Sequence, residues 1–165
     1  MIVSLRTKSY DELKKALSKD EKILLYSCNL CIKLCNNLGG KEAIEKLAAK
    51  LKADGYNVIH TEPIGYGCHF GLINSRKRGE ATKDIFNSAD VFITIICTDG
   101  HEKLMKMYKK KKIIATAETV GIGMYSSEEG MRIACPFPET GLPASAEGIS
   151  LEEAAKKLKM YHEPF

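Results

Sequence analysis

Short apolar runs alternating with amphipathic segments predict an α/β protein: a single domain, doubly wound, with one mainly parallel sheet and helices on both faces. Three observations carry that expectation. Four runs rich in β-branched and aliphatic residues, Ile23–Tyr26, Tyr56–His60, Val91–Ile96 and Ile113–Ala117, are set apart from one another as strands. Helical patterns separate them, and strand–helix–strand crossovers are right-handed and leave the strands parallel. The chain has 165 residues, 44% of them hydrophobic, which suffices for one continuous core and does not require a second.

In chain order, Ser9-Tyr10-Asp11-Glu12 places Ser three residues before Glu, a capping box that starts a helix through Leu13, Ala16 and Leu17. After the first strand, Glu42 to Asp54 forms a helix with Ile44, Leu47, Ala48 and Leu51 inward, and Gly55 ends it. The second strand leads to a helix over Glu80 to Ala89. The third is followed by Thr98-Asp99-Gly100, which caps a helix through Leu104, Met107 and Tyr108. Beyond the fourth strand, Pro136, Pro138, Gly141, Pro143 and Gly148 mark residues 135–150 as an ordered connector. Ser150-Leu151-Glu152-Glu153 repeats the capping box and opens a terminal helix over 150–161 with Leu151, Ala154, Ala155 and Leu158 on one face. The expected arrangement is Rossmann- or flavodoxin-like.

Composition narrows the setting. A net charge of +4, from 25 basic and 21 acidic residues, identifies no partner. The run Lys109–Lys112 falls at a helix end, where cations complement the dipole. There is no Trp and no basic stripe interleaved with aromatics, so nucleic acid is not expected. No apolar run approaches the ~20 residues of a membrane span. The opening residues Met1–Arg6 do not read as a secretory signal. The expected compartment is the reducing cytoplasm, where six cysteines are core thiols, redox thiols or ligands rather than disulfides.

Cys28, Cys31 and Cys35 form a C-x2-C-x3-C run immediately after the first strand. Cys68 lies in Gly65-Tyr66-Gly67-Cys68-His69 beyond the second strand, and Cys97 closes the third. Five of the six cysteines therefore fall at the carboxyl edge of the expected sheet, where doubly wound proteins place ligands. The spacing also puts the three thiols of the run on one helix face, so a stripe of core thiols is the alternative. Cys135 has no companion and is read as structural.

Thiolates suit both zinc and iron–sulfur clusters. Three ligands from one run and a fourth from a distant loop, Cys68 or Cys97, favour a 4Fe–4S cluster over zinc. His69 or His101 could complete a zinc site. Gly39, Gly40, Gly65 and Gly67 allow backbone to approach such a centre and to direct amide hydrogens at sulfur. Gly39-Gly40 and Gly121-Ile122-Gly123 match no phosphate-binding fingerprint and read as turns. A thiol enzyme using Cys28 or Cys31 is a third possibility, although it leaves three cysteines without a role.

With these residues placed, the chain resembles the amino-terminal domain of the small subunit of acetogen-type methylenetetrahydrofolate reductase. In that family a strand enters a C-G-x-C-x3-C motif, followed by Gly-Gly, an acidic-basic pair and a long helix. Here Leu24-Leu25-Tyr26-Ser27-Cys28 runs on to Cys31 and Cys35, then to Gly39-Gly40-Lys41-Glu42. Cys68 and Cys97 match later cysteines, and the resemblance covers Met1 to Met124. Asn29 stands at the family glycine, Thr98 follows Cys97 where glycine is usual, and the family's second cysteine-rich segment is missing. The resemblance implies a metal-binding, noncatalytic subunit of a flavin-dependent reductase complex in anaerobic one-carbon metabolism. Its implied partner is a flavoprotein reductase subunit or another subunit of such a complex, with a homo-oligomer also possible. The competing expectation is a zinc-stabilised interaction module without redox chemistry.

Overall fold

The computed structural model describes residues 1–165 and contains two four-stranded sheets instead of one. The expectation of a single mainly parallel sheet is therefore wrong. The parallel sheet has the order β3-β2-β4-β5, built from β2 (Ile23–Cys28), β3 (Val58–Ile64), β4 (Val91–Ile95) and β5 (Lys112–Ala115). The antiparallel sheet has the order β1-β6-β7-β8, built from β1 (Ile2–Arg6), β6 (Ala117–Ser126), β7 (Gly130–Pro136) and β8 (Ile149–Ser150).

The parallel half follows the doubly wound rule. All six residues of β2 and all five of β4 are buried, as strands covered on both faces must be. Helix α3 (Lys41–Ala53) covers the face of β2 that carries Ser27, whose Oγ accepts the Gly40 amide at 2.8 Å. The opposite face carries Tyr26 and Phe92. Both make edge-on contacts with Phe86 of α5 (Lys83–Ser88), at centroid distances of 6.5 and 5.6 Å. Helices α4 (Phe70–Arg78) and α6 (Thr98–Met107) complete the crossovers. The chain leaves β2 for β3 on one side and returns to β4 on the other. The carboxyl ends of β2 and β4 thus flank the topological switch point, where such sheets form a crevice.

Several boundaries differ from expectation. The helix expected over Glu80–Ala89 is the shorter α5, and α4 precedes it unforeseen. Residues 135–150 are only in part a connector: β7 runs to Pro136, a 3-10 turn spans Pro138–Thr140, and β8 closes the segment. The terminal helix α7 covers Leu151–Leu158 and stops where Lys159 turns left-handed at φ +55°, short of residue 161. The first capping box is complete around α1 (Tyr10–Lys15): Ser9 Oγ accepts the Glu12 amide and Glu12 accepts the Ser9 amide. Ser150 likewise caps α7 by accepting from Glu153.

The two sheets meet at Thr116, between β5 and β6. Its amide and hydroxyl both donate to Thr94 O on β4, while its carbonyl accepts the Thr7 amide next to β1. A second tie joins α6 to β6, with Thr98 N donating to Thr119 Oγ1 at 3.0 Å and Thr119 N donating to Thr98 Oγ1 at 2.9 Å. Gly121 and Gly123 lie inside β6 rather than in a turn. A Cβ on Gly123 would stand 2.0 Å from Arg132 O of β7, so only glycine fits there. The C-terminal segment docks on β1: Arg6 and Tyr161 exchange backbone bonds of 2.8 Å, and the Arg6 guanidinium sits between the rings of Tyr161 and Phe165. One apolar cluster of 36 buried residues runs through both sheets. No helix is long and apolar enough to cross a membrane.

Candidate metal centre

Cys28 is the last residue of β2 and points to the face opposite Ser27, toward the loop that follows β3. There its Sγ accepts the Gly67 amide at 3.2 Å, and its thiol proton is directed at Gly65 O, 3.6 Å away. Burial pushes the Cys28 thiol up from its ordinary value. The amides of Gly67 and Leu30 act against burial, because an N–H aimed at sulfur favours the thiolate. Gly67 has to be glycine for this contact, since a Cβ would meet Cys28 Cβ at 2.9 Å and Ile96 Cγ2 at 3.1 Å.

Cys97 is the N-cap residue of α6, two residues past β4. Burial pushes its thiol up to about 11, with the Gly100 amide opposing. Cys68 sits in the loop between β3 and α4 and is partly exposed. Gly67, whose amide donates to Cys28, precedes Cys68 and lies against Gly100 of α6, so the segments carrying Cys28, Cys68 and Cys97 are neighbours, and Cys31 opens α2 (Cys31–Leu34) three residues after Cys28. Four thiols from four segments thus gather at the switch point.

Cys35 does not gather with them. Helix α2 lasts only four residues, and Asn36 and Asn37 then turn the chain at φ 49° and 57°. The Cys35 side chain is fully buried, donates to Cys31 O at 3.3 Å and faces the Ser4 amide of β1. Burial pushes it up to about 11. Cys28 and Cys35 both belong to the buried apolar core, the surroundings that the core-thiol alternative expects.

The glycines divide in the same way. Gly65 and Gly67 wrap Cys28, whereas Gly39 and Gly40 lie under the other face of β2, where Gly40, at φ +92°, caps α3. His69 caps α4 by accepting the Leu72 amide, and His101 is bonded to Thr94. Cys135 is exposed on β7 opposite Ile122. Two contributors escaped the sequence reading, Gly100 and Lys103 in the first turns of α6. A Cβ on Gly100 would lie 3.0 Å from Gly67 O, so this glycine lets α6 close on the loop. Lys103 holds the same loop by donating to Cys68 O at 2.9 Å. Their signal was a glycine in a helix beginning straight after a strand.

The donor set, four thiols with backbone amides turned on two of them, fits a soft metal or an iron–sulfur cluster. As the side chains stand, no three His, Cys, Asp or Glu residues form a group that could hold a metal ion. Comparison with protein-family models, with curated proteins and with solved structures finds no match to this chain.

Proposed function

We propose that this chain is a metal-binding subunit, holding a 4Fe–4S cluster through Cys28, Cys31, Cys68 and Cys97, that transfers electrons to or docks on a flavin-dependent reductase of one-carbon metabolism. The observation that carries the reading is the gathering of these four thiols at the switch point. A bound cluster supplies one-electron chemistry. The chain contributes the surroundings: the Gly67, Leu30 and Gly100 amides favour thiolate over thiol, and the hydrophobic floor under Cys28 limits water. Lys103, held by Asp99 at 2.7 Å, places a cation against the loop that carries Cys68. The flavoprotein partner and the reducing cytoplasmic setting belong to the same reading and follow from the resemblance to the reductase subunit.

Iron and acid-labile sulfide analysis of protein purified without oxygen tests it. Iron and sulfide in equal amounts are expected, with a visible absorbance bleached by dithionite. Cys28→Ser and Cys31→Ser should each lose the metal, while Cys35→Ala retains it. A colourless protein containing zinc and no iron would replace the electron carrier with the zinc-stabilised interaction module. Full metal content in both Cys28→Ser and Cys31→Ser would remove the centre altogether.

A further inference from the structure

On the other flank of α6, away from the thiols, an open recess of about 350 Å³ lies between the end of β1, the first turns of α6 and the junction of β5 with β6. Ala115 and Ala117 line it, and Thr7, Lys8, Thr98, His101 and Glu118 supply its polar groups. It sits beyond the carboxyl ends of β4 and β5, the edge at which open α/β sheets bind ligands.

Three of the polar groups, Thr7, Lys8 and Glu118, have side chains that the protein does not itself pair. The Thr7 hydroxyl has no hydrogen-bond partner, yet it is not sealed from solvent. Lys8 and Glu118 carry opposite charges and share the recess, but no ion pair within 4.0 Å joins them or either to another residue. His101 is anchored on one side only, with Nδ1 3.1 Å from Thr94 Oγ1. The same Thr94 hydroxyl lies 3.3 Å from Ile114 O, so it holds the ring against the end of β4. The ring itself lines the recess. Burial depresses the His101 pKa, in keeping with a neutral ring.

We propose that this recess binds a small zwitterion, a free amino acid, whose carboxylate meets Lys8 and Thr7 and whose ammonium meets Glu118, with the His101 ring forming one wall. A simple anion would face Glu118 uncompensated. A divalent cation would face Lys8 and find only one imidazole and one carboxylate. A ligand that carries both charges satisfies both, and the volume lies at the small end of ligand sites. The proposal uses none of the cysteines and stands apart from the metal reading.

Calorimetric titration of the full chain with the common amino acids, one at a time, tests it. At least one should bind, and Lys8→Met and Glu118→Gln should each weaken it by about tenfold or more. For the amino acid that binds, the matching carboxylic acid without the amine and the amine without the carboxylate should also be weaker by about tenfold. These analogues keep the test independent of whether a variant folds. Absence of binding for every amino acid at about 10 mM overturns the proposal. Equal affinity of the carboxylic acid analogue overturns it too, by reducing the recess to an anion site, as does unchanged affinity in both folded variants.

Discussion

Burial withholds a proton from His101, and that has a consequence for stability. Its pKa is lowered from the ordinary 6.5 because the ring is desolvated, with Glu102 on the same helix acting in the opposite direction. Lys8 and Glu118 are the other charged groups at the recess it lines. On acidification the unfolded chain therefore takes up this proton before the folded one does. The stability it contributes is complete above pH 6.5 and declines as pH falls through 6.5 toward the lower folded value. Urea midpoints measured from about pH 7 to pH 5 should fall, and His101→Asn should flatten that slope. An unchanged slope in the variant would place the acid sensitivity elsewhere. The cysteines show how far single residues could be read. The places of Cys28, Cys68 and Cys97 in the fold, as distinct from any ligand role, were legible because each sits at or just past a recognisable strand, and strand ends fix position. Cys35 was not, because its direction depends on where a four-residue helix stops, and two left-handed asparagines decide that.

Among the elements, the parallel strands were legible and the antiparallel ones were not, for a physical reason. β2 and β4 are buried on both faces and therefore read as unbroken apolar runs. β6 alternates buried Val120, Gly121 and Gly123 with exposed Ile122 and Met124, and its glycines look like turns until β7 is packed against them. β7 carries Cys135 and Pro136 at its end, which a strand pattern tolerates at an edge or terminus. β1, five residues long at the chain start, has meaning only once β6 pairs with it, and its register shifts between Val3 and Ser4. Gly123 is thus a structural requirement of the antiparallel sheet. Gly123→Ala should lower stability by about 2 kcal/mol or more, because a backbone carbonyl blocks the new methyl. Denaturant unfolding will measure it; a loss below about 0.5 kcal/mol would mean that β6 and β7 separate easily at this point.

At the scale of the whole molecule, the last residues close the structure. Tyr161 and Phe165 enclose the Arg6 guanidinium at 4.5 and 4.3 Å, and Arg6 Nε donates to Glu163 O at 2.9 Å. Burial lowers the Arg6 pKa, and the aromatic faces offset part of that desolvation. Deleting residues 160–165 should cost about 2 to 3 kcal/mol, read as a lower urea midpoint, and should speed exchange of the Arg6 amide. An unchanged midpoint would make the contact ornamental to stability. The path of the chain through the two sheets also orders events in time. Every strand of the parallel sheet lies between residues 23 and 115, whereas the antiparallel sheet joins residues 2–6 to residues 117–150. During synthesis β1 leaves the ribosome more than a hundred residues ahead of its partner β6. The parallel sheet, with its edge of thiols, is therefore assembled around an open end. The antiparallel sheet is thus the last part of the fold that can close.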